Sequence, residues 1–136
     1  MREQSNPVNE KVPEIYCSLS ICFDKSVDID DVLKALCKIG ITTYKIHTPK
    51  CEPVTVIELT AIYYEPFWEL NDALSKLFIQ FDNKLVGLKA VVSAYEGEAY
   101  VDIAIAAHGS YPTLFLEREN VGKISYLNAG ISIDLY

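Results

Sequence analysis

The chain lacks the glycine signatures of nucleotide chemistry. It has no GxxxxGK[ST] phosphate loop, no GxGxxG dinucleotide fingerprint and no GxSxG nucleophile elbow. The common P-loop, Rossmann and hydrolase motifs are thereby excluded as starting points. Basic residues are also in short supply. Twelve Lys and Arg stand against nineteen Asp and Glu, for a net charge of −7 and a pI of 4.7. A nucleic-acid binder clusters Lys and Arg to neutralise phosphates; here they are scattered, which argues against nucleic acid and against an anionic membrane surface. Long apolar runs are missing too, since no stretch approaches the roughly 18 apolar residues of a membrane span. Met1 to Pro13 is hydrophilic, so no secretory signal is expected and the chain is read as cytoplasmic.

Cysteine is sparse: Cys17, Cys22, Cys37 and Cys51. In a cytoplasmic chain these are expected to be free thiols. Cys17 and Cys22 are five apart on a strand and face opposite sides. Cys37 falls on a helical apolar stripe and is expected in the core; Cys51, between Pro49 and Pro53, is expected in a loop.

What is present is globular composition, with half of the 136 residues apolar and 23% charged. A chain of this length can bury about two-thirds of its unfolded surface. The expected organisation is a flexible tail over 1–13 and one α+β domain over 14–136. The most informative stretch is Gly130-Ile131-Ser132-Ile133-Asp134-Leu135-Tyr136. Its strict alternation predicts a half-buried strand, with Ile131, Ile133 and Leu135 on a core and Ser132, Asp134 and Tyr136 turned away.

The same period of two predicts a strand over 14–23, with Ile15, Cys17, Leu19, Ile21 and Phe23 inward and Tyr16, Ser18 and Ser20 outward. Asp28 is a good N-cap for a helix whose stripe is Ile29, Val32, Leu33, Leu36 and Cys37, and Gly40 suits a left-handed C-terminal cap. A short strand over 41–47 and a longer one over 54–64 follow. Pro66 predicts the start of a helix over 66–81 with Phe67, Leu70, Leu74, Leu77, Phe78 and Phe81 on one face; Trp68 falls off that face. Two strands, 88–95 and 99–107, are expected to form a hairpin through Glu96-Gly97. In the second, Val101, Ile103 and Ile105 face inward. A short helix over 117–127 precedes the closing strand. The expected fold is therefore α+β: one mostly antiparallel sheet with two to three helices on one face, in the order β-α-β-β-α-β-β-α-β.

No motif names a reaction. His47 and Cys51 lack two further ligands for a metal. His108-Gly109-Ser110 sets a histidine beside a serine, but acyl transfer needs a hydrogen-bonded base and an orienting carboxylate that spacing does not supply. Asp24, Asp28, Asp30 and Asp31 lack the glycine and closing glutamate of a calcium loop; they read as a capped helix start that could also attract a basic partner. No metal site, catalytic residue or cofactor is expected. The outward sheet face is the stronger candidate. It should carry Tyr16, Glu58, Tyr100, Asp102, Asp134 and Tyr136, with Trp68 as a separate anchor. Tyrosine gives large contact area with a polar tip and few rotors, and carboxylates among tyrosines suit Lys and Arg on a partner.

Residues 67–136 resemble an uncharacterised bacterial family, the domain of unknown function numbered four-two-seven-nine. The resemblance rests on the leucine-rich helix from Leu70 to Phe81, a following hairpin and the closing Gly130–Tyr136 strand, since that family commonly ends on a hydrophobic-Asp-hydrophobic-Tyr strand. The front half fits in outline through a strand, a helix after Asp28-Ile29-Asp30 and a short strand. Where the family has a tryptophan-containing strand, this chain has Val54 to Tyr64. The family has no established activity, so the resemblance implies no catalytic residue. In size, charge and class the chain also looks like bacterial immunity proteins, such as those of contact-dependent growth inhibition, which bind and block a toxin.

The expected function is a non-enzymatic immunity protein that occludes a basic toxin domain with an acidic, tyrosine-bearing surface. The alternatives are a ligand-binding or enzymatic domain with a pocket near His108, and a structural module that forms a homodimer through its open sheet face.

Overall fold

A computed structural model describes residues 11–136. Most of the tail expected over 1–13 lies outside the described residues. Its last residue is not frayed: Pro13 is buried and its carbonyl accepts the Phe67 N–H at 3.1 Å.

Five strands form one sheet: β1 (Glu14–Asp24), β2 (Lys45–His47), β3 (Val54–Pro66), β4 (Glu98–Ala106) and β5 (Gly130–Leu135), in the order β2-β3-β1-β4-β5. All pairs are antiparallel except β4 with β5, which is parallel. Four helices accompany it: α1 (Ile29–Lys38), α2 (Leu70–Phe78, continued by a 3₁₀ turn over Ile79–Phe81), α3 (Leu85–Ala94) and α4 (Arg118–Tyr126). The architecture is the α+β sheet with helices on one face that the sequence predicts, with one strand exchanged for a helix.

The core lies between the helices and one face of the sheet. Ile15, Cys17, Leu19, Ile21 and Phe23 of β1 and Val101, Ile103 and Ile105 of β4 meet Val32 and Leu36 of α1, Leu70, Leu74, Leu77 and Phe78 of α2, and Leu88, Val91 and Val92 of α3. Each fully buried Leu or Phe contributes on the order of 1.5–3 kcal/mol. α2 packs on β1 and β3, α1 against α3, and α4 against α2.

The helix ends follow local chemistry. Asp28 Oδ1 accepts the Asp30 N–H at 3.0 Å, as an N-cap should. At the other end Gly40, at φ +89°, donates to Cys37 O while Ile41 donates to Leu36 O. That is the paired-bond cap of a helix C-terminus. The same cap closes α4 through Asn128 and Ala129, which donate to Ser125 O and Ile124 O.

Five expectations need correction. The hairpin over 88–107 does not form. Leu88, Val91 and Val92 sit at i, i+3 and i+4 and bury on one side of α3, so helical period outweighs the β-branched composition. Glu96-Gly97 is the helix cap instead: Glu96, at φ +53°, donates to Ser93 O, and Gly97 donates to Val92 O. Gly97 is needed for space, because a Cβ there would lie 2.5 Å from the Phe23 ring. Second, Pro66 ends β3 rather than starting a helix; α2 begins at Leu70, because β1 pairing holds the chain extended to Pro66. Third, Cys37 is exposed; α1 buries Val32 and Leu36, and Cys37, one residue on and so turned about 100° from Leu36, falls outside that contact. Fourth, β5 is exposed along its length. Ile131 and Ile133 are registered beside Val101 and Ile103 and share their side of the sheet, but β5 is an edge strand that the helices do not cover. Fifth, the short strand expected over 41–47 shrinks to Lys45–His47.

Candidate functional site

The candidate site is the sheet face opposite the helices. β1 supplies its centre by alternation: Tyr16, Ser18, Ser20 and Cys22 turn away from the core. Cross-strand partners share a face, and the register sets Ala104 beside Tyr16, Asp102 beside Ser18, Tyr100 beside Ser20 and Glu98 beside Cys22. From β3 comes Glu58, registered beside Ser20. β5 adds Ser132 and Asp134, registered beside Asp102 and Ala104. Ser18 and Ser20 lie on this face but are buried beneath their larger neighbours.

Of the seven sequence-predicted residues, six meet here: Tyr16, Glu58, Tyr100, Asp102, Asp134 and Tyr136. Trp68 does not. It stands in the connection between β3 and α2, half-exposed, where its carbonyl accepts the Thr113 N–H at 2.8 Å.

Two tyrosines missing from the prediction complete the group. β3 carries two register shifts against β1, near Leu59 and near Tyr63-Tyr64. The first turns Leu59 and Thr60 to the helix side, where Thr60 Oγ1 donates to Gln80 Oε1 at 3.0 Å. The second, with Tyr64 at φ +52°, sets both Tyr63 and Tyr64 over Tyr16. Their ring centroids lie 5.6 and 5.8 Å from that of Tyr16. The Tyr63 and Tyr64 rings stand edge to face at 5.3 Å, a favoured aromatic geometry. The signal for the first bulge is legible in retrospect: Ile57 and Leu59 are odd, Ile62 is even, and all three are buried, so the apolar phase breaks between them.

Carboxylates anchor this aromatic group. Tyr16 Oη donates to Glu58 Oε2 at 3.2 Å, Tyr100 Oη to Glu98 Oε1 at 2.8 Å, and Ser132 Oγ to Asp102 Oδ1 at 2.7 Å. The Tyr64 and Tyr136 hydroxyls bond to each other. All three perturbed phenols titrate above their usual range. Burial raises Tyr16, helped by the charges of Glu58 and Asp102. The hydrogen bond to Glu98 raises Tyr100, and the one to Tyr136 raises Tyr64. Such a surface can accept hydrogen bonds at its phenolic and carboxylate oxygens, stack on aromatic or guanidinium groups and attract cations.

The other candidates resolve into local structure. His108, at φ +50°, pairs with Glu14 at 2.7 Å at one end of the sheet. Grooves are found among the described residues. One, of about 510 Å³, runs between the outer edge of β3 and residues 40–45; another, of about 640 Å³, lies beside Glu98, Tyr100 and Gly130. Neither is lined by His108. Asp24 accepts both the N–H and the hydroxyl of Ser26, which lower its pKa, and Asp28 caps α1. Among the described residues no group of three His, Cys, Asp or Glu side chains is arranged to hold a metal, and no helix is long and apolar enough to cross a membrane. Comparison with family models, curated proteins and solved structures finds no match to this chain.

Proposed function

We propose that this chain is a non-enzymatic binding protein whose tyrosine and carboxylate face docks a basic protein, and that it serves as an immunity protein occluding a toxin domain. One observation carries the reading. Tyr16, Tyr63, Tyr64, Tyr100 and Tyr136 share the face opposite the helices with Glu58, Glu98, Asp102 and Asp134. Aromatic rings interspersed with carboxylates and phenolic acceptors suit a partner presenting Lys and Arg. The net charge of −7 would steer such a partner and speed its capture. Inhibition then needs no chemistry: covering a basic active surface excludes its substrate.

A calorimetric titration against the purified product of the neighbouring gene tests the proposal. Binding that weakens with rising salt and with Asp102→Lys supports it. Absence of binding, or binding insensitive to both, contradicts it.

A further inference from the structure

We propose that β5 is a self-pairing edge, and that two copies of this chain join their sheets through antiparallel β5–β5 pairing about a two-fold axis at Ile133. The inference is independent of what the tyrosine face binds.

The backbone determines which groups are free. Tyr136 N–H donates to Ile105 O, and Tyr136 O accepts from Ala107 N–H. Both polar groups of Tyr136 therefore point at β4. In a strand this direction alternates, so those of Ser132 and Asp134 also point at β4. The N–H and C=O groups of Ile131, Ile133 and Leu135 point away, to an edge that no strand occupies among the described residues.

An edge of this kind is usually blunted by proline, lysine, bulges or a covering element. The opposite side of the sheet is treated that way. There β3 carries two bulges, ends on Pro66 and is partly covered by β2, which contributes Lys45. β5 has none of these devices. Its register with β4 is unbroken, and it contains neither proline nor lysine. Its helix-side residues Ile131, Ile133 and Leu135 are 46%, 44% and 51% exposed. That is an unblunted apolar edge.

The occupant follows from the pattern of the strand. Pairing about Ile133 sets Ile133 against its copy and Ile131 against Leu135 of the second copy. These are the residues whose N–H and C=O face outward, so each pair can exchange both hydrogen bonds. On the opposite face Ser132 meets Asp134 of the second copy, a hydroxyl against a carboxylate. Gly130 meets Tyr136, and because the Tyr136 ring reaches inward to Tyr64 and glycine has no side chain, nothing on this face obstructs the pair. Moving the axis to Asp134 would set two carboxylates directly opposite, which is destabilising. Moving it to Ser132 leaves Leu135 unpaired. The sequence is thus self-complementary in one register, the requirement of a two-fold interface. The axis is perpendicular to the sheet, so both helix layers stay on one side. The two tyrosine faces become one continuous surface on the other.

The experiment is sedimentation of the full chain over micromolar to submillimolar concentration, with Ile133→Pro and Ile133→Lys. The mass of the native chain should climb from 15.3 kDa towards twice that value. Ile133→Pro removes an N–H that the monomer does not use, and Ile133→Lys places two like charges face to face. Each should weaken self-association by about a hundredfold or more, with circular dichroism confirming a native fold in at least one. A native chain that remains monomeric throughout overturns the proposal. So does a natively folded variant that associates as strongly as the native chain.

Discussion

The hydroxyls of Tyr64 and Tyr136 meet although 72 positions separate them in sequence. Tyr64 lies near the end of β3 and Tyr136 follows β5, with β1 and β4 between them. Strands are about 4.8 Å apart, so the pair spans roughly 14 Å of sheet. Two tyrosines reach this far by lying across the surface. Ala104, registered beside Tyr16, is too small to obstruct them. The contact ties the two outer parts of the face together.

Stability should depend on the helix-side core. Leu74 and Phe78 are fully buried in α2, whereas Asp72 is exposed. Leu74→Ala and Phe78→Ala should each cost about 2–5 kcal/mol through lost burial and an unfilled cavity. Asp72→Ala should stay within about 0.5 kcal/mol of the native chain. Chemical denaturation curves decide this; the reverse ranking would mean that α2 presents a different face.

A buried polar bracket joins α2 to α4. Asn120 Nδ2 donates to Asn71 O at 3.2 Å, Asn71 Oδ1 at 3.0 Å and Ser75 Oγ at 3.0 Å. Asn71 Oδ1 also accepts the Glu117 N–H at 2.8 Å, where α4 starts. Asn120→Ala should cost on the order of 1–3 kcal/mol, because it strands polar groups inside the protein. Asn120→Asp should not restore the native value, since a carboxylate would face acceptors. Thermal melts of the pair would expose the opposite outcome, a neutral Asn120→Ala.

Alkaline pH should unfold the chain through Cys17. Burial, aided by the charge of Glu65, pushes its thiol up to about 12 from 9.0. The folded state therefore keeps a proton that the unfolded state releases. Its contribution is fully present below pH 9 and is lost as pH rises towards 12. Within that window stability should fall by up to about 1.4 kcal/mol per pH unit from this group alone. Tyr16 and Tyr100, also raised, act in the same direction at the upper end. Cys17→Ala should make the decline shallower; an unchanged slope in denaturation series would remove Cys17 as its cause. Under native conditions a thiol reagent should label Cys37 and Cys51, which are exposed, well before Cys17.

The sequence was readable wherever period and burial agreed. In β1 and β4 the core residues alternate without interruption, so Tyr16, Tyr100 and Asp102 could be assigned to the open face. Asp28 and Gly40 bracketed α1 because caps are local chemistry. Reading failed where tertiary context decided. Leu88 to Tyr95 is β-branched enough to suggest a strand, yet α3 forms because Leu88, Val91 and Val92 bury together. Tyr63 and Tyr64 were missed because bulges shift the phase of β3, and a bulge is set by its partner strand. Strict alternation in β5 predicted the side its apolar residues take, but alternation cannot reveal that no helix lies over them.

The most direct measurement of the central claim is a binding titration of face variants against the neighbouring-gene protein. Tyr63 is 76% exposed and stands beside Tyr16 and Tyr64, so its removal should leave the fold intact. Tyr63→Ala, Tyr100→Ala and Tyr136→Ala should each lose roughly 2 kcal/mol or more of binding if they act as hot spots. Asp102→Lys should lose several kcal/mol by setting like charges together, and His108→Ala should bind as the native chain does. Native affinity in all four face variants, or a loss confined to His108→Ala, would contradict the account and move the site to the other end of the sheet.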